Sequence, residues 1–344
     1  MDLLPAEFHR RFLSQQVRAD GRSLLAYRQP CIGADILTNC CGSASVRCGN
    51  NYYLAGVRCE VGCVLGRQGV EVGKRRFVDS GHAISDAEAA KASARGSSGG
   101  YVFVTVEYPK LCGAEFADSG GPCVNVPMSV SGTITELLNS TAVFDSRQLF
   151  LDFSESDVTT PIERADIEEL TSSPCEEQRQ VPELLGQAFA WHLYIHVVCL
   201  EYDGNPLDSA LLASVVALEN TRLPSVVWDH NAKWWRQACE QSCLGEVAAS
   251  QREGRRLFCP GRQIRLSNRP MNITFTQIMG EWWVVDPTRE EESLGCSVSF
   301  CMVNDRWHII RLGGMPVGTS VLTDLQSRAK VIAKGLQCQL NDTS

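Results

Sequence analysis

The most constraining feature of this sequence is an apolar run that stops at a turn and is followed by a second apolar run of a different kind. The first, WHLYIHVVCLEY from Trp191, is rich in the β-branched and aromatic residues that favour strands. Asp203-Gly204-Asn205 ends it, and Pro206 then stands in the first turn of PLDSALLASVVALENTRLP, which has helical composition. The pattern therefore predicts a strand, a tight turn and a helix in that order.

Other segments carry weaker versions of the same signals. From the helical or alternating spacing of apolar residues we predict helices at 5–16, 131–144 and 320–334, a hairpin turning at Gly49-Asn50, and strands at 101–109, 273–278, 282–286, 297–303 and 307–312. In the second helix, the residues on one side are Ile134, Leu137, Leu138 and Val143. Strands followed by a helix occur once in each half, which predicts an α+β chain with a duplicated plan.

Two segments have the composition of loops and interrupt this plan. Residues 66–100 are rich in Gly, Ser, Ala and charge, and residues 152–180 begin with a strongly acidic run. Between Asp152 and Glu177 there are nine acids and one base, Arg164. We predict two surface insertions in a single domain over residues 1–344, with a first half at about 17–150 and a second half at about 184–335.

Composition and charge exclude several classes of protein. The 344 residues are 44% hydrophobic, and no apolar run is long enough to span a bilayer, so we expect no membrane association. The acidic, amphipathic start lacks the features of a secretory signal. A formal charge of −8 argues against a protein that grips nucleic acid over its whole surface, but the acidic insertion accounts for it and local basic patches are compatible with it.

The sixteen cysteines are spread along a long chain, which favours reduced thiols over a disulfide framework. Two Cys-x3-Cys pairs, Cys59/Cys63 and Cys239/Cys243, are wider than the Cys-x2-Cys pairs of structural zinc sites. We predict neither a metal site nor a bound cofactor.

Several of these stretches together resemble the RNase PH-like subunits of the eukaryotic exosome ring. In chain order they are FHRRFL, VRADGR, GSASVRCGN, YLAGVRCEV, LEYDGNPLDSALLA and RPMNITFTQIMGEWWVVDPT. The resemblance rests on order and spacing and covers most of the chain outside the two insertions. It implies the RNase PH-like α+β fold of two duplicated βαβ-type halves, in a ring of six subunits around a channel for single-stranded RNA. The implied partners are the other RNase PH-like ring subunits, the cap subunits and single-stranded RNA, and the implied location is nucleus, nucleolus and cytoplasm.

The resemblance also allows catalytic features to be compared by position. Active members carry phosphate-binding arginines on the helix that corresponds to Ile134–Val143, which has none here. They end the turn after the central strand with Thr or Ser followed by Arg, whereas this chain continues with Pro206 and Asp208. They place two aspartates six residues apart, where a gapless comparison puts Glu291 and Ser297. These differences predict a non-catalytic ring subunit. The alternative is an active phosphate-dependent 3′-to-5′ exoribonuclease.

The acids that follow Trp282 and Trp283 accordingly receive a structural interpretation. We predict that Asp286 caps the turn at Pro287 and that the run Glu290, Glu291 and Glu292 forms a solvated loop. A Ser/His/Asp hydrolase is the competing interpretation of the histidines, but no Gly-x-Ser-x-Gly turn is present, and His192 and His196 fall on one face of a predicted strand.

Two basic clusters are the candidate RNA contacts. One is Lys74, Arg75 and Arg76 in the first insertion, and the other begins with Arg252, Arg255 and Arg256 and continues to Arg262, Arg265 and Arg269. Either cluster could follow a phosphate backbone, form a solvated face, or pair with acids of a neighbouring subunit.

Overall fold

The computed structural model describes residues 5–65, 100–113, 116, 125–151, 187–229, 234–237, 261–304, 306–312 and 316–343. Most of both predicted insertions lies outside these residues. The helices are α1 Pro5–Ser14, α2 Val126–Leu138, α3 Pro206–Glu219, α4 Arg289–Ser293 and α5 Thr319–Thr343. The strands are β1 Pro30–Ala34, β2 Gly42–Cys48, β3 Asn51–Leu65, β4 Val102–Glu107, β5 Phe150–Leu151, β6 Gln187–Glu201, β7 Val226–Asp229, β8 Trp234–Gln237, β9 Met271–Ile278, β10 Trp282–Val285, β11 Gly295–Val303 and β12 Arg306–Leu312.

The first sheet is six-stranded, in the order β1-β2-β3-β6-β4, with β5 paired to β6. The predicted hairpin is confirmed: β2 and β3 are antiparallel and turn at Gly49, whose φ of 59° suits a residue without a side chain. Strands β4 and β6 are parallel, and α2 lies between them in the chain, which makes a βαβ unit. Because β6 follows residue 184, this sheet draws on both predicted halves, and the division into halves stays a prediction.

Strand β6 and helix α3 confirm the strand, turn and helix predicted from Trp191 onward. Alternate residues of β6 from Trp191 to Cys199 are buried, which places His192 and His196 together on the opposite face, as predicted. Helix α3 packs against β2 and β3 of the first sheet and against β9 of the second. Nearly every side chain of α3 is buried, because the helix has protein on all sides.

Helix α2 differs from its prediction at both ends. It begins at Val126, with Pro127 in its first turn, and ends at Leu138 instead of continuing to about residue 144. The helix stops because the side chain of Asn139 turns to the edge strand: its Nδ2 donates to the Val102 carbonyl at 2.7 Å, and its Oδ1 accepts from the Val102 N–H at 3.0 Å. Val143 is buried as expected, but beyond the helix.

The second sheet is four-stranded and antiparallel, in the order β10-β9-β11-β12, which confirms four predicted strands. Helix α5 covers it with buried residues at helical spacing, namely Leu325, Ala329, Ala333, Leu336 and Leu340, and it continues past the predicted end to Thr343. On the other side, Leu13 of α1 packs with Ile278 and Val284. Among the described helices, none is both long and apolar enough to cross a bilayer.

Candidate functional site

The turn between β6 and α3 is the first part of the candidate site. Gly204 and Asn205 have φ values of 74° and 53°, a left-handed pair that glycine and asparagine adopt with least strain. A side chain at Gly204 would lie 2.5 Å from the backbone of Thr288 and Arg289, so the glycine allows the turn to approach the chain after β10 closely. The site is thus assembled where segments 18–28, 203–208 and 286–291 meet.

Asp286 is at the centre of this meeting point and is 1% exposed. Its carboxylate accepts from Arg28 Nε at 2.7 Å, from Arg28 Nη2 at 2.8 Å and from Asn205 Nδ2 at 2.7 Å. Burial alone would raise the pKa of Asp286, but the hydrogen bonds and charge of Arg28 outweigh it and hold the pKa below its usual value. The prediction that Asp286 caps the Pro287 turn is therefore wrong, since its carboxylate faces the arginine instead.

Asp208, in the first turn of α3, is also buried and points into the protein. Its carboxylate accepts from Asn205 Nδ2 at 2.9 Å, from the Thr274 N–H at 3.0 Å and from Thr274 Oγ1 at 2.8 Å. Burial raises the pKa of Asp208 from 3.8 to about 7, with the charge of Asp286 acting in the same direction and the hydrogen bonds opposing it. In active members, according to the resemblance, this turn binds phosphate. Here the residue in that position is an acid, Asp208, whose side chain faces the interior.

Glu291 forms the third part of the site, in α4. Arg18 is fully buried and donates from Nε to Glu291 Oε1 at 2.9 Å, while its Nη1 donates to the Val285 carbonyl at 2.8 Å. The second guanidinium nitrogen, Nη2, pairs with Glu291 Oε2. Such a bidentate pair satisfies both charges inside the protein.

The prediction of a loop over the run Glu290 to Glu292 is wrong, because the three residues lie in α4, and Glu291 is not solvated but 1% exposed. Thr288 and Glu291 form a reciprocal capping box that starts α4. The sequence signal for this cap, TREE, is present, but the burial of Glu291 depends on Arg18, which is far away in the chain. Glu290 is exposed and pairs with Nε2 of the buried His9 at 3.0 Å.

The two positions that the resemblance aligns with catalytic aspartates are both engaged internally. Glu291 is paired with Arg18, and Ser297 Oγ lies 2.8 Å from Thr276 Oγ1, across the β9–β11 pair. Neither side chain is presented to a substrate by these contacts.

The acids of the site outnumber its arginines. Its three arginines, Arg18, Arg22 and Arg28, face five acids, which are Asp20, Asp203, Asp208, Asp286 and Glu291. In the described part of the chain, each of these arginines is within ion-pair distance of a carboxylate. A phosphate dianion requires a surplus of positive charge, which this cluster does not supply.

Most of the predicted RNA contacts lie outside the described residues. Lys74, Arg75, Arg76, Arg252, Arg255 and Arg256 lie outside the described residues, so their role stays a prediction. Of the continuing series, Arg269 pairs with Glu219, Arg262 donates to the Gln148 carbonyl, and Arg265 is exposed. His196 pairs with Glu107 at 3.1 Å.

No cluster of three or more His, Cys, Asp or Glu side chains within the described segments is arranged to hold a metal ion. Of the predicted Cys-x3-Cys pairs, only Cys59 has a described side chain. The hydrogen bond that the Cys59 thiol shares with the Cys41 thiol raises the pKa of Cys59, and burial acts in the same direction.

Comparison with known proteins places this arrangement in a family. The model of the RNase PH family, described as the 3′ exoribonuclease family, domain 1, matches residues 26–224, which is more than half of the chain. The chain therefore belongs to the RNase PH family. Among its relatives is the exosome complex component rrp43 of Schizosaccharomyces pombe, 22% identical over 315 residues that cover 91% of this chain and 86% of the relative.

A shorter similarity links the chain to an archaeal relative and to solved structures. The exosome complex component Rrp42 of Sulfurisphaera tokodaii is 31% identical over 117 residues, 33% of this chain and 34% of the relative. The Archaeoglobus fulgidus exosome with RNA bound to the active site has a chain that superposes with a TM-score of 0.63 at 17% identity, covering 98% of both chains. A chain of an archaeal exosome core gives a TM-score of 0.60 at 16% identity, covering 98% of this chain and 96% of that one. The predicted α+β, RNase PH-like fold and the resemblance to exosome subunits are thereby confirmed.

Proposed function

We propose that this protein is a ring subunit of an RNA exosome, that it supports 3′-to-5′ RNA processing and degradation, and that its own role is structural and not catalytic. The similarity to rrp43 along almost the whole chain supports the ring role. The observation that carries the non-catalytic role is the buried Arg18–Glu291 pair beside the Arg28–Asp286 pair, because these contacts commit the site's arginines to the chain's own carboxylates.

Its partners are the other RNase PH-like ring subunits, the cap subunits, and single-stranded RNA that passes through the assembled channel. Relatives that are named as exosome components support this assignment. The location that goes with it is nucleus, nucleolus and cytoplasm, which imaging of a fluorescently tagged full-length chain tests.

The ring role is tested by co-expression of the full-length chain with the other RNase PH-like exosome subunits. We expect a stable hetero-oligomer that co-elutes in size-exclusion chromatography and contains one copy of this chain at a fixed place. A chain that remains a monodisperse monomer in the presence of those subunits would contradict the proposal. An RNase PH-like subunit known to join the ring under the same conditions serves as the positive control.

A further inference from the structure

Hydrogen bonds join three surface segments that are far apart in sequence, residues 146–149, 221–223 and 261–265. The side-chain amide of Gln148, in the 3₁₀ turn Ser146–Leu149, donates from Nε2 to the Arg265 carbonyl at 2.9 Å and accepts at Oε1 from the Arg265 N–H at 3.0 Å. This pair of hydrogen bonds holds the segment 261–265 against the turn. The backbone of Arg265 is therefore held next to the turn that carries Arg147.

An isolated antiparallel β-bridge joins the same segment to the residues that follow α3. The Leu223 N–H donates to the Arg262 carbonyl at 2.9 Å, and the Ile264 N–H donates to the Thr221 carbonyl at 3.1 Å. Arg222 and Gln263 stand opposite each other in this bridge. Because side chains alternate across an extended segment, Arg222 and Arg265 project on the same outer side while Thr221, Leu223 and Ile264 are buried.

We name the resulting patch the arginine surface: Arg147, Arg222 and Arg265, all of them exposed. In the described chain, the acids Asp145 and Glu219 are close in sequence to Arg147 and Arg222. The Asp145 carboxylate caps the Arg147 N–H at 3.0 Å, and Glu219 is paired with Arg269. Within the residues that the structure describes, no carboxylate forms an ion pair with Arg147, Arg222 or Arg265. The surface therefore carries positive charge that the described chain leaves unmatched, on a protein whose net charge is −8.

The chemistry of the arginine surface favours a polyanion over a folded protein partner. None of the large apolar side chains that the described chain exposes lies in segments 145–149, 219–223 or 261–265. Protein interfaces have an apolar core that is depleted of charge, and base-stacking platforms need exposed aromatic rings. Guanidinium groups bind phosphate oxygens in bidentate geometry. We propose that the arginine surface binds the phosphate backbone of single-stranded RNA, an inference that rests on the proposed function.

The test replaces three arginines at once, Arg147→Gln, Arg222→Gln and Arg265→Gln, and leaves Arg262 because it also holds the Gln148 carbonyl. The matched control is Arg47→Gln, Arg58→Gln and Arg328→Gln, three arginines that are exposed but paired with Glu201, Glu60 and Asp324. Affinity for a labelled single-stranded RNA is measured between about 50 and 200 mM salt, in the assembled ring and with the full-length chain alone.

Each lost phosphate contact lowers the salt slope by roughly 0.7, so the triple variant should lose about 2 units of slope and up to about a hundredfold in affinity at 0.1 M salt. The loss should be similar for RNAs of different sequence, because backbone contacts carry no base information. The control variant should bind as the wild type does, and both variants should unfold at the wild-type temperature.

An unchanged affinity and slope in a folded triple variant would overturn the inference, as would a wild-type chain that binds no RNA either alone or in the ring. Weakened binding of polyglutamate with unchanged binding of RNA would assign the surface to an acidic protein segment instead, and would also overturn it. The ring assay separates the two proposals: a triple variant that assembles but binds RNA normally refutes only the arginine surface, whereas a wild-type chain that never assembles refutes the ring role.

Discussion

Glu291 neutralises a guanidinium group that has no access to solvent. Arg18 is fully buried, so removing the carboxylate leaves an uncompensated charge in the interior. We predict that Glu291→Gln lowers the free energy of unfolding by about 3–5 kcal/mol, measured by chemical denaturation. Glu290→Gln is the matched control, because Glu290 is a neighbour of the same type that is largely exposed, and it should cost less than about 1 kcal/mol. Equal losses of unfolding free energy in the two variants would contradict a stabilising role for the buried Arg18–Glu291 pair.

Asp208 gives the protein a pH dependence of a definite sign. Its pKa is about 7 in the folded chain against 3.8 for an ordinary aspartate, so over that interval the unfolded chain releases a proton that the folded chain keeps. The unfolding free energy should therefore fall as pH rises from about 4 to 7. In Asp208→Asn this component is absent, and the difference between wild type and variant should change by about 2 kcal/mol between about pH 5 and 8. A difference that is independent of pH would contradict the raised pKa.

Asp286 acts in the opposite direction on the acid side. Because its pKa in the folded protein lies below 3.8, its ion pair with Arg28 stabilises the fold above that pH, and the contribution is lost as pH falls through the lowered pKa. The two neighbouring aspartates thus produce slopes of opposite sign in different pH ranges.

Helix α2 ends next to Asn139, whose side chain bonds the backbone of strand β4, and the contribution of these bonds can be tested. Asn139→Ala removes both hydrogen bonds to Val102 and should cost about 2 kcal/mol, since a buried strand N–H is left without its partner. Asn220 is the matched control: it also ends a helix, α3, but among the described residues its side chain bonds the Val216 carbonyl of its own helix and no strand. Thermal unfolding of Asn220→Ala should show less than half of the loss, and the reverse order would contradict the role given to Asn139.

The elements that the sequence predicted are those whose signal is local. The structure confirms the strand from Trp191, the turn Asp203-Gly204-Asn205 and the helix from Pro206. Each has a signal in its own residues: the composition of the apolar run, or the turn residues that end it. The end of α2 was not predictable in this way, because it depends on Val102, a strand residue 37 positions away. The burial of Glu291 was missed for the same reason, since its partner Arg18 is 273 positions away.

The sequence predicted which segments form the candidate site but not which of their side chains contact one another. The resemblance identified the turn at Gly204 and the acids after Trp283 as the places to examine. Only the fold, however, showed that Asp208 and Asp286 face each other across Asn205. Long-range pairing of charges leaves no periodic trace in a sequence, whereas burial of a strand or a helix does.

The described chain has one large apolar core that includes residues of both sheets, with α3 between them. A shared core predicts that the sheets lose structure together. Leu211→Ala, at a buried position of α3, should cost about 2–5 kcal/mol. Hydrogen exchange should show peptides from β3 and from β9 becoming less protected by equal amounts. Loss of protection in one sheet alone would mean that the sheets unfold independently.

The non-catalytic role is decided by phosphorolysis in a ring that contains this chain in its natural form and no active partner. The ring is assembled with every active RNase PH-like partner inactivated at its catalytic acids, and is then incubated with single-stranded RNA and inorganic phosphate. Because Arg18 and Arg28 are committed to Glu291 and Asp286, we predict that no nucleoside diphosphate is released, while a ring with one active partner restored releases it. Nucleoside diphosphate release from the ring whose active partners are all inactivated would contradict the non-catalytic assignment.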